Sequence, residues 1–352
     1  MNGSKPGIRY FIAVKYAFLL CVLAAAPVSA ALPENGAAPL NYFLHSYGPA
    51  SMPTMHLGWV FVALLLAILV TITLLLAVAI LHKRPAKDPD PMGREDKGIL
   101  WIYIGTGIST CILFALAIYS LITLNTISKP AHAPALTLTV TGFDWWWKVE
   151  YEYDDPTRNF VTANEIHIPV GQPVLVKLKS ADVIHAFWVP MLAGKTQMIP
   201  GLTNQQWLQA DAEGIYRGQC TQYCGVQHAH MGLEVVAQSE TAFLKWEDNQ
   251  RRSTKTVTAI DSDINAGKKL FLERCAGCHT IRGTEAVGAH APDLTHFRSR
   301  RLIAAGLLTN TPEHLVQWIT HAQELKPGAR MPSMALTATE ISTLSAFLST
   351  LN

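Results

Sequence analysis

Cys220-Thr221-Gln222-Tyr223-Cys224-Gly225-Val226-Gln227-His228-Ala229-His230-Met231 gathers two thiols, an imidazole and a thioether in a C-x3-C-x3-H-x2-M spacing. These are the soft and borderline donors that copper selects, and a donor set without carboxylates is unsuited to calcium or magnesium. The same residues also admit a Cys220–Cys224 disulfide or a zinc site, although zinc rarely takes methionine and a disulfide leaves His228 and Met231 without a role. The sequence around this loop, residues 136–238, runs in short alternating stretches such as Leu136-Thr137-Leu138-Thr139-Val140 and Val174-Leu175-Val176-Lys177-Leu178. Gly171, Pro173, Pro190, Pro200-Gly201 and Gly214 punctuate them. Alternation with turn residues at this interval predicts an antiparallel β-sandwich or barrel, with the cysteine loop closing it. A further donor must then come from another loop. His185, in Ser180-Ala181-Asp182-Val183-Ile184-His185, stands at a predicted strand end and is the best candidate.

Downstream the pattern changes. Thr241 to Thr258 is polar without an apolar period, so residues 241–260 read as a linker after a short helical tail. From Asp261 the pattern is helical, with starts at Asp261/Ser262, at Thr311-Pro312 and at Thr337. On the first helix lies Cys275-Ala276-Gly277-Cys278-His279, a C-x-x-C-H motif. Two thiols at that spacing add to the vinyl groups of a haem while the adjacent histidine supplies an axial nitrogen. A redox dithiol or half a zinc site is the competing reading, and no second cysteine pair follows to complete it. For the iron's other side the loop Lys326-Pro327-Gly328-Ala329-Arg330-Met331-Pro332 offers Met331, with Met334 as rival. His290, His296, His314 and His321 read as surface or core histidines.

Upstream, Lys5, Arg9 and Lys15 precede an apolar run ending in Pro27-Val28-Ser29-Ala30, the pattern of an export signal over residues 1–30. An outer segment (31–55) leads into a helix hairpin (56–125), because residues 57–81 and 99–124 each exceed the roughly 20 residues that cross a bilayer. Lys83, Arg84, Lys87, Arg94 and Lys97 between them put the connection on the cytoplasmic side, so everything after about residue 128 faces outward. With a net charge of +2 and no long Lys/Arg run interleaved with aromatics, nothing points to a nucleic-acid partner. Six cysteines, two of them in apolar runs, are too few for a disulfide scaffold.

Taken together, the signal, the hairpin, the Asp182-Val183-Ile184-His185 segment and the cysteine loop resemble subunit II of the haem-copper cytochrome c oxidases. The C-x-x-C-H module makes the chain similar to the caa-type members, which carry a fused cytochrome c domain. The resemblance implies a multi-domain membrane protein: a two-helix hairpin, an all-β cupredoxin-like copper domain over 130–240 and an all-α class I cytochrome c domain over 261–352. It implies a dinuclear copper centre in which Cys220 and Cys224 bridge, His185 and His228 each bind one copper, Met231 ligates the copper of His185, and Gln222 contributes its carbonyl. Family members usually carry Glu at the position of Gln222, where the carboxylate also reaches a magnesium ion; copper needs only the carbonyl. Met331, followed closely by Pro332, matches the axial methionine of class I cytochromes c, and Pro292 matches the proline loop on the histidine side. Trp145, in Gly142-Phe143-Asp144-Trp145-Trp146-Trp147, aligns with the residue through which electrons reach the copper, although an indole cluster also packs a barrel. Glu95 and Asp96 read as solvated loop acids.

The function so implied is passage of electrons from cytochrome c through a covalent haem c and the copper pair to catalytic subunit I, with subunit III alongside, for reduction of dioxygen to water. The location implied is a bacterial inner membrane with the soluble domains outside. The corresponding subunit of a nitric oxide reductase and a free-standing membrane-anchored electron carrier are the other readings of the same sites. Residues 130–247 carry seven Lys/Arg against twelve Asp/Glu, whereas 261–352 carry nine against eight, so the acidic copper domain favours docking of basic carriers or of the tethered haem module.

Overall fold

The two apolar runs form helices α1 (Met52–Leu81) and α2 (Lys97–Ile127), which pack against each other and leave their Leu, Ile and Val side chains exposed. Each is about 45 Å long at 1.5 Å per residue, more than the roughly 30 Å of a hydrocarbon core. They outrun the apolar sequence at the start of α1 and at the end of α2. Pro53 suits the first turn of α1, and Thr126 extends α2 by returning its hydroxyl to the Ile122 carbonyl. This computed structural model describes residues 44–82, 97–254 and 262–352; the stretch expected to be an export signal (1–30), Glu95, Asp96 and the basic residues 83–94 lie outside them. The start of α1 and the end of α2 are both tied to the β domain. The Trp207 indole donates to the Ile127 carbonyl (2.8 Å), while Tyr47 ahead of α1 exchanges backbone bonds with Met191 and Asp211. The β domain is thus fixed where α1 begins and α2 ends.

Ten strands follow: β1 (Leu136–Phe143), β2 (Trp146–Glu152), β3 (Phe160–Ala163), β4 (Glu165–Pro169), β5 (Val174–Ser180), β6 (His185–Trp188), β7 (Thr196–Met198), β8 (Asn204–Leu208), β9 (Gly214–Cys220) and β10 (Gly232–Gln238). They make two five-stranded sheets, β3-β2-β1-β5-β8 and β4-β10-β9-β6-β7. The sheets are mixed rather than wholly antiparallel: β1 pairs parallel with β5, and β4 with β10. Parallel neighbours cannot be joined by a hairpin. Here the chain leaves the first sheet at β4 and returns at β5, a crossover that local alternation does not encode. Leu138, Val140, Val149 and Val176 from one sheet meet Ile166, Ile168, Phe187 and Val235 from the other in a core that excludes solvent.

The segment expected as linker instead holds a docked helix, α3 (Glu240–Arg251), capped by Ser239. Trp246 stacks on His167 at 4.1 Å and meets Tyr151 and Phe160, so tertiary packing rather than an apolar period makes this helix. The last module contains α4 (Ser262–Arg274), α5 (Pro312–Leu325) and α6 (Ala338–Ser349), with a short hairpin β11 (Leu302–Ile303) and β12 (Leu308–Thr309). Thr311 caps α5, and Thr337 with Glu340 closes a capping box on α6. α4 and α6 cross at Gly267, where even a methyl group would lie 2.0 Å from the Thr343 carbonyl.

Candidate metal and haem sites

β6 and β9 run side by side, pairing Phe187 with Cys220, and this adjacency brings His185 under the cysteine loop. The Cys220 amide closes the loop on the Met231 carbonyl at 3.0 Å, returning the chain into β10. Cys220, Cys224, His185, His228 and Met231 converge. The two sulfurs are 3.8 Å apart, His185 Nδ1 lies 3.9 Å from Cys220 Sγ, His228 Nδ1 lies 3.5 Å from Cys224 Sγ, and the Met231 sulfur is 3.9 Å from Cys224 Sγ. The Gln222 carbonyl sits 3.3 Å from Cys220 Sγ. Sulfurs at that separation are not joined in a disulfide. Thiols, imidazoles and a thioether around one point, all but His228 drawn into the core, fit a copper site.

His185 is fully buried, and its ring is aimed by Asp182, which accepts from Nε2 at 2.7 Å and so leaves Nδ1 for the sulfurs. Burial alone raises the Asp182 carboxyl, but hydrogen bonds from His185 and from the Val183 and Asp144 amides outweigh it and hold the group below its ordinary value. For His185 burial works downward, and the bonds to Asp182 and Cys220 override it, raising the imidazole to about 9. The hydrogen bond from Cys224 lowers the Cys220 thiol, so the pair favours a thiolate at Cys220. Asp182 was visible in the sequence only as a neighbour; its i,i+3 spacing from His185 was the available signal. Trp145 lies against this loop, its indole donating to the Cys224 carbonyl at 2.9 Å.

The C-x-x-C-H motif ends α4 and opens on a cavity of about 310 Å³. Cys275, Cys278 and His279 line it together with Pro292, Leu294, Ile319 and Leu344. Both Met331 and Met334 line it as well, and so does His290. His279 Nδ1 donates to the Pro292 carbonyl at 2.8 Å, which turns Nε2 inward, and burial lowers its pKa so that the ring stays neutral. An apolar slot bearing two thiols and an unprotonated imidazole suits a haem. His296, His314 and His321 instead bond to Arg252, Thr309 and Thr320.

This cavity is not closed by its own module. Asp144, Trp145 and Trp146 from the β domain form part of its wall. Across the seam Arg301 donates its amide to Glu165 (2.9 Å) and its guanidinium to Glu234 (3.2 Å), Gly232 donates to Ala305, and Gln227 donates to the Pro327 carbonyl. Lys326 extends its ammonium to the carbonyls of Trp145, His230 and Ala304 at 2.8, 2.8 and 3.0 Å. Burial pushes that ammonium down to about 7.

The family model described as "Cytochrome C oxidase subunit II, periplasmic domain" matches residues 153–239, and that described as "Cytochrome c" matches residues 264–352. Among curated proteins, cytochrome c oxidase subunit 2 of Alkalihalophilus pseudofirmus is 37% identical over 197 residues, covering 56% of this chain and 55% of that one. The chain therefore spans about half the length of that relative. Its namesake from Bacillus sp. is 28% identical over 277 residues, covering 74% of this chain and 75% of the relative. That from Oenothera berteroana is 32% identical over 207 residues, covering 53% and 80% respectively.

Proposed function

The chain belongs to the cytochrome c oxidase subunit 2 family, and from that premise we propose that it is the subunit through which electrons enter a respiratory terminal oxidase. When bound, a copper pair and a haem supply one-electron chemistry, carrying electrons from cytochrome c or a similar donor to a separate catalytic subunit I for reduction of dioxygen to water. Subunit III and a bacterial inner membrane complete the setting, with the soluble domains on the outer side. Two apolar helices long enough to span, with the β domain tied to their outer ends, support that placement.

In this reading the Cys220 and Cys224 thiolates, the His185 and His228 imidazoles, the Met231 thioether and the Gln222 carbonyl would hold the copper pair. Cys275 and Cys278 would attach the haem, and His279 and Met331 would ligate its iron. Asp182 fixes the His185 ring, the Pro292 carbonyl fixes the His279 ring, and strands β6 and β9 hold His185 and Cys220 at the sandwich end, so little rearranges at the copper donors when charge changes. Trp145 stands between, bonded to the Cys224 carbonyl and lining the haem cavity.

The convergence of two thiols, two imidazoles and a thioether beside a cavity walled by the same domain carries the proposal. Full-length protein purified in detergent should contain two coppers and one covalently attached haem, show a mixed-valence copper signal by paramagnetic resonance, and bring a haem-bearing catalytic chain with it. Cys220→Ser should abolish the copper signal and spare the haem. Loss of both cofactors, or a chain that purifies alone with no copper, would overturn it.

A further inference from the structure

Lysine is almost never fully buried unless it is paired, because taking an ammonium from water is costly. Lys326 is only 3% exposed, and no carboxylate among the described residues pairs with it. Its three N–H donors are satisfied by three carbonyls instead, one for each hydrogen. Those carbonyls come from three separate segments. Trp145 precedes β2, His230 belongs to the cysteine loop, and Ala304 lies in the β11–β12 turn of the cytochrome module.

Ala304 and Ala305 are both left-handed, at φ 54° and 60°, a conformation unfavourable for alanine. The turn thereby points two successive carbonyls at the seam, one to Lys326 and the next to the Gly232 amide. The residues after Lys326 continue the contact. Pro327 accepts from Gln227, a methyl group added at Gly328 would touch Val226 and the Trp145 ring at 3.5 and 3.6 Å, and Arg330 approaches Asp182 at 3.9 Å. Met331 follows.

We propose that Lys326 is an interdomain latch, a positioning residue that fixes the cytochrome module in one docked register on the copper loop and so makes Trp145 a wall of the haem cavity. Only the docked arrangement offers the ammonium all three acceptors. In that arrangement the cytochrome module covers the aromatic face of the copper domain, so an external donor meets the haem module first. What the docking serves rests on the function proposed above; the contacts themselves do not.

Amide hydrogen exchange of the full-length chain tests the latch. Removing the donor in Lys326→Met keeps the aliphatic stem but leaves three carbonyls without a partner. Exchange at the Gly232 amide, which bonds across the seam, should accelerate tenfold or more, while the Val176 and Val235 amides inside the sheets keep their protection. Haem-to-copper electron transfer after photoreduction should slow by a similar factor with both absorption spectra unchanged. Arg301→Gln, which removes the Glu234 pair and leaves the latch, should alter Gly232 exchange less than twofold. Unchanged Gly232 protection in Lys326→Met overturns the proposal. Labelling with an amine-reactive reagent checks the unmutated chain: Lys269, 81% exposed on its side chain, should react readily and Lys326 should resist. Equal reactivity of the two sinks the latch even if Lys326→Met fails to fold. A chain found without copper or haem refutes the proposed function instead, and both exchange and labelling still report on the latch.

Discussion

Gly142→Ala puts the copper assignment under a small and calculable stress. Gly142 lies on β1 directly beneath the His185 ring, and a methyl group there would lie 2.8 Å from Cδ2 and 3.0 Å from Cγ of the imidazole. That is about 0.6 Å short of the 3.4 Å at which ordinary contact begins. The backbone at Gly142 is ordinary strand, so the cost comes from the clash alone. His185 has little room to yield, since it is fully buried and bound by Asp182 on one edge with Cys220 on the other. Overpacking of this kind costs about 1–3 kcal/mol, and relief requires the ring to tilt away from the sulfurs. If about 2–3 kcal/mol of this falls on the metal-bound geometry, copper affinity drops roughly 30- to 150-fold. Competition with a graded series of copper chelators measures the affinity, and paramagnetic resonance reads the histidine geometry, with haem content as internal control. Wild-type affinity and an unchanged copper spectrum in Gly142→Ala would refute the placement of His185 at the metal.

Asp182→Asn should keep the His185 ring in place yet withdraw the charge behind it, weakening copper retention by about 10- to 100-fold while leaving haem attachment intact; equilibrium dialysis against copper decides, and unchanged affinity tells against Asp182 as the orienting group. Met331→Leu should abolish the far-red sulfur-to-iron absorption band and lower the haem potential, whereas Met334→Leu should do neither; the reverse pattern moves the axial ligand to Met334.

The copper loop, the haem motif and the hairpin are readable because their signals are local. Donor spacing in Cys220–Met231 and Cys275–His279 is fixed by the chemistry of the bound group, and the starts of α5 and α6 are set by Thr311 and Thr337 against their own first turns. What escaped reading depends on distant partners. The parallel pairing of β1 with β5 follows from a crossover through the opposite sheet. Helix α3 has Phe243 and Trp246 as its main apolar residues, and it forms because Trp246 finds His167, Tyr151 and Phe160 waiting. Nothing in the sequence singles out Lys326. Its acceptors are backbone carbonyls, and any residue type supplies one, so no spacing marks it.

The two loops at the seam share a division of labour that ties docking to metal retention. In the cysteine loop Cys220, Cys224 and Met231 turn inward, while Gln227 and the His230 carbonyl, which flank His228 and precede Met231, turn outward to Pro327 and Lys326. In the cytochrome module the loop from Lys326 to Arg330 grips the copper domain and then delivers Met331 to the haem cavity. Neither loop can shift its gripping residues without moving donor atoms one or two residues away. Binding free energies coupled in this way are reciprocal. Whatever factor docking adds to copper retention, copper adds to docking, so chelating the metal should raise Gly232 amide exchange by the factor that separates the copper affinities of the docked and fully undocked states.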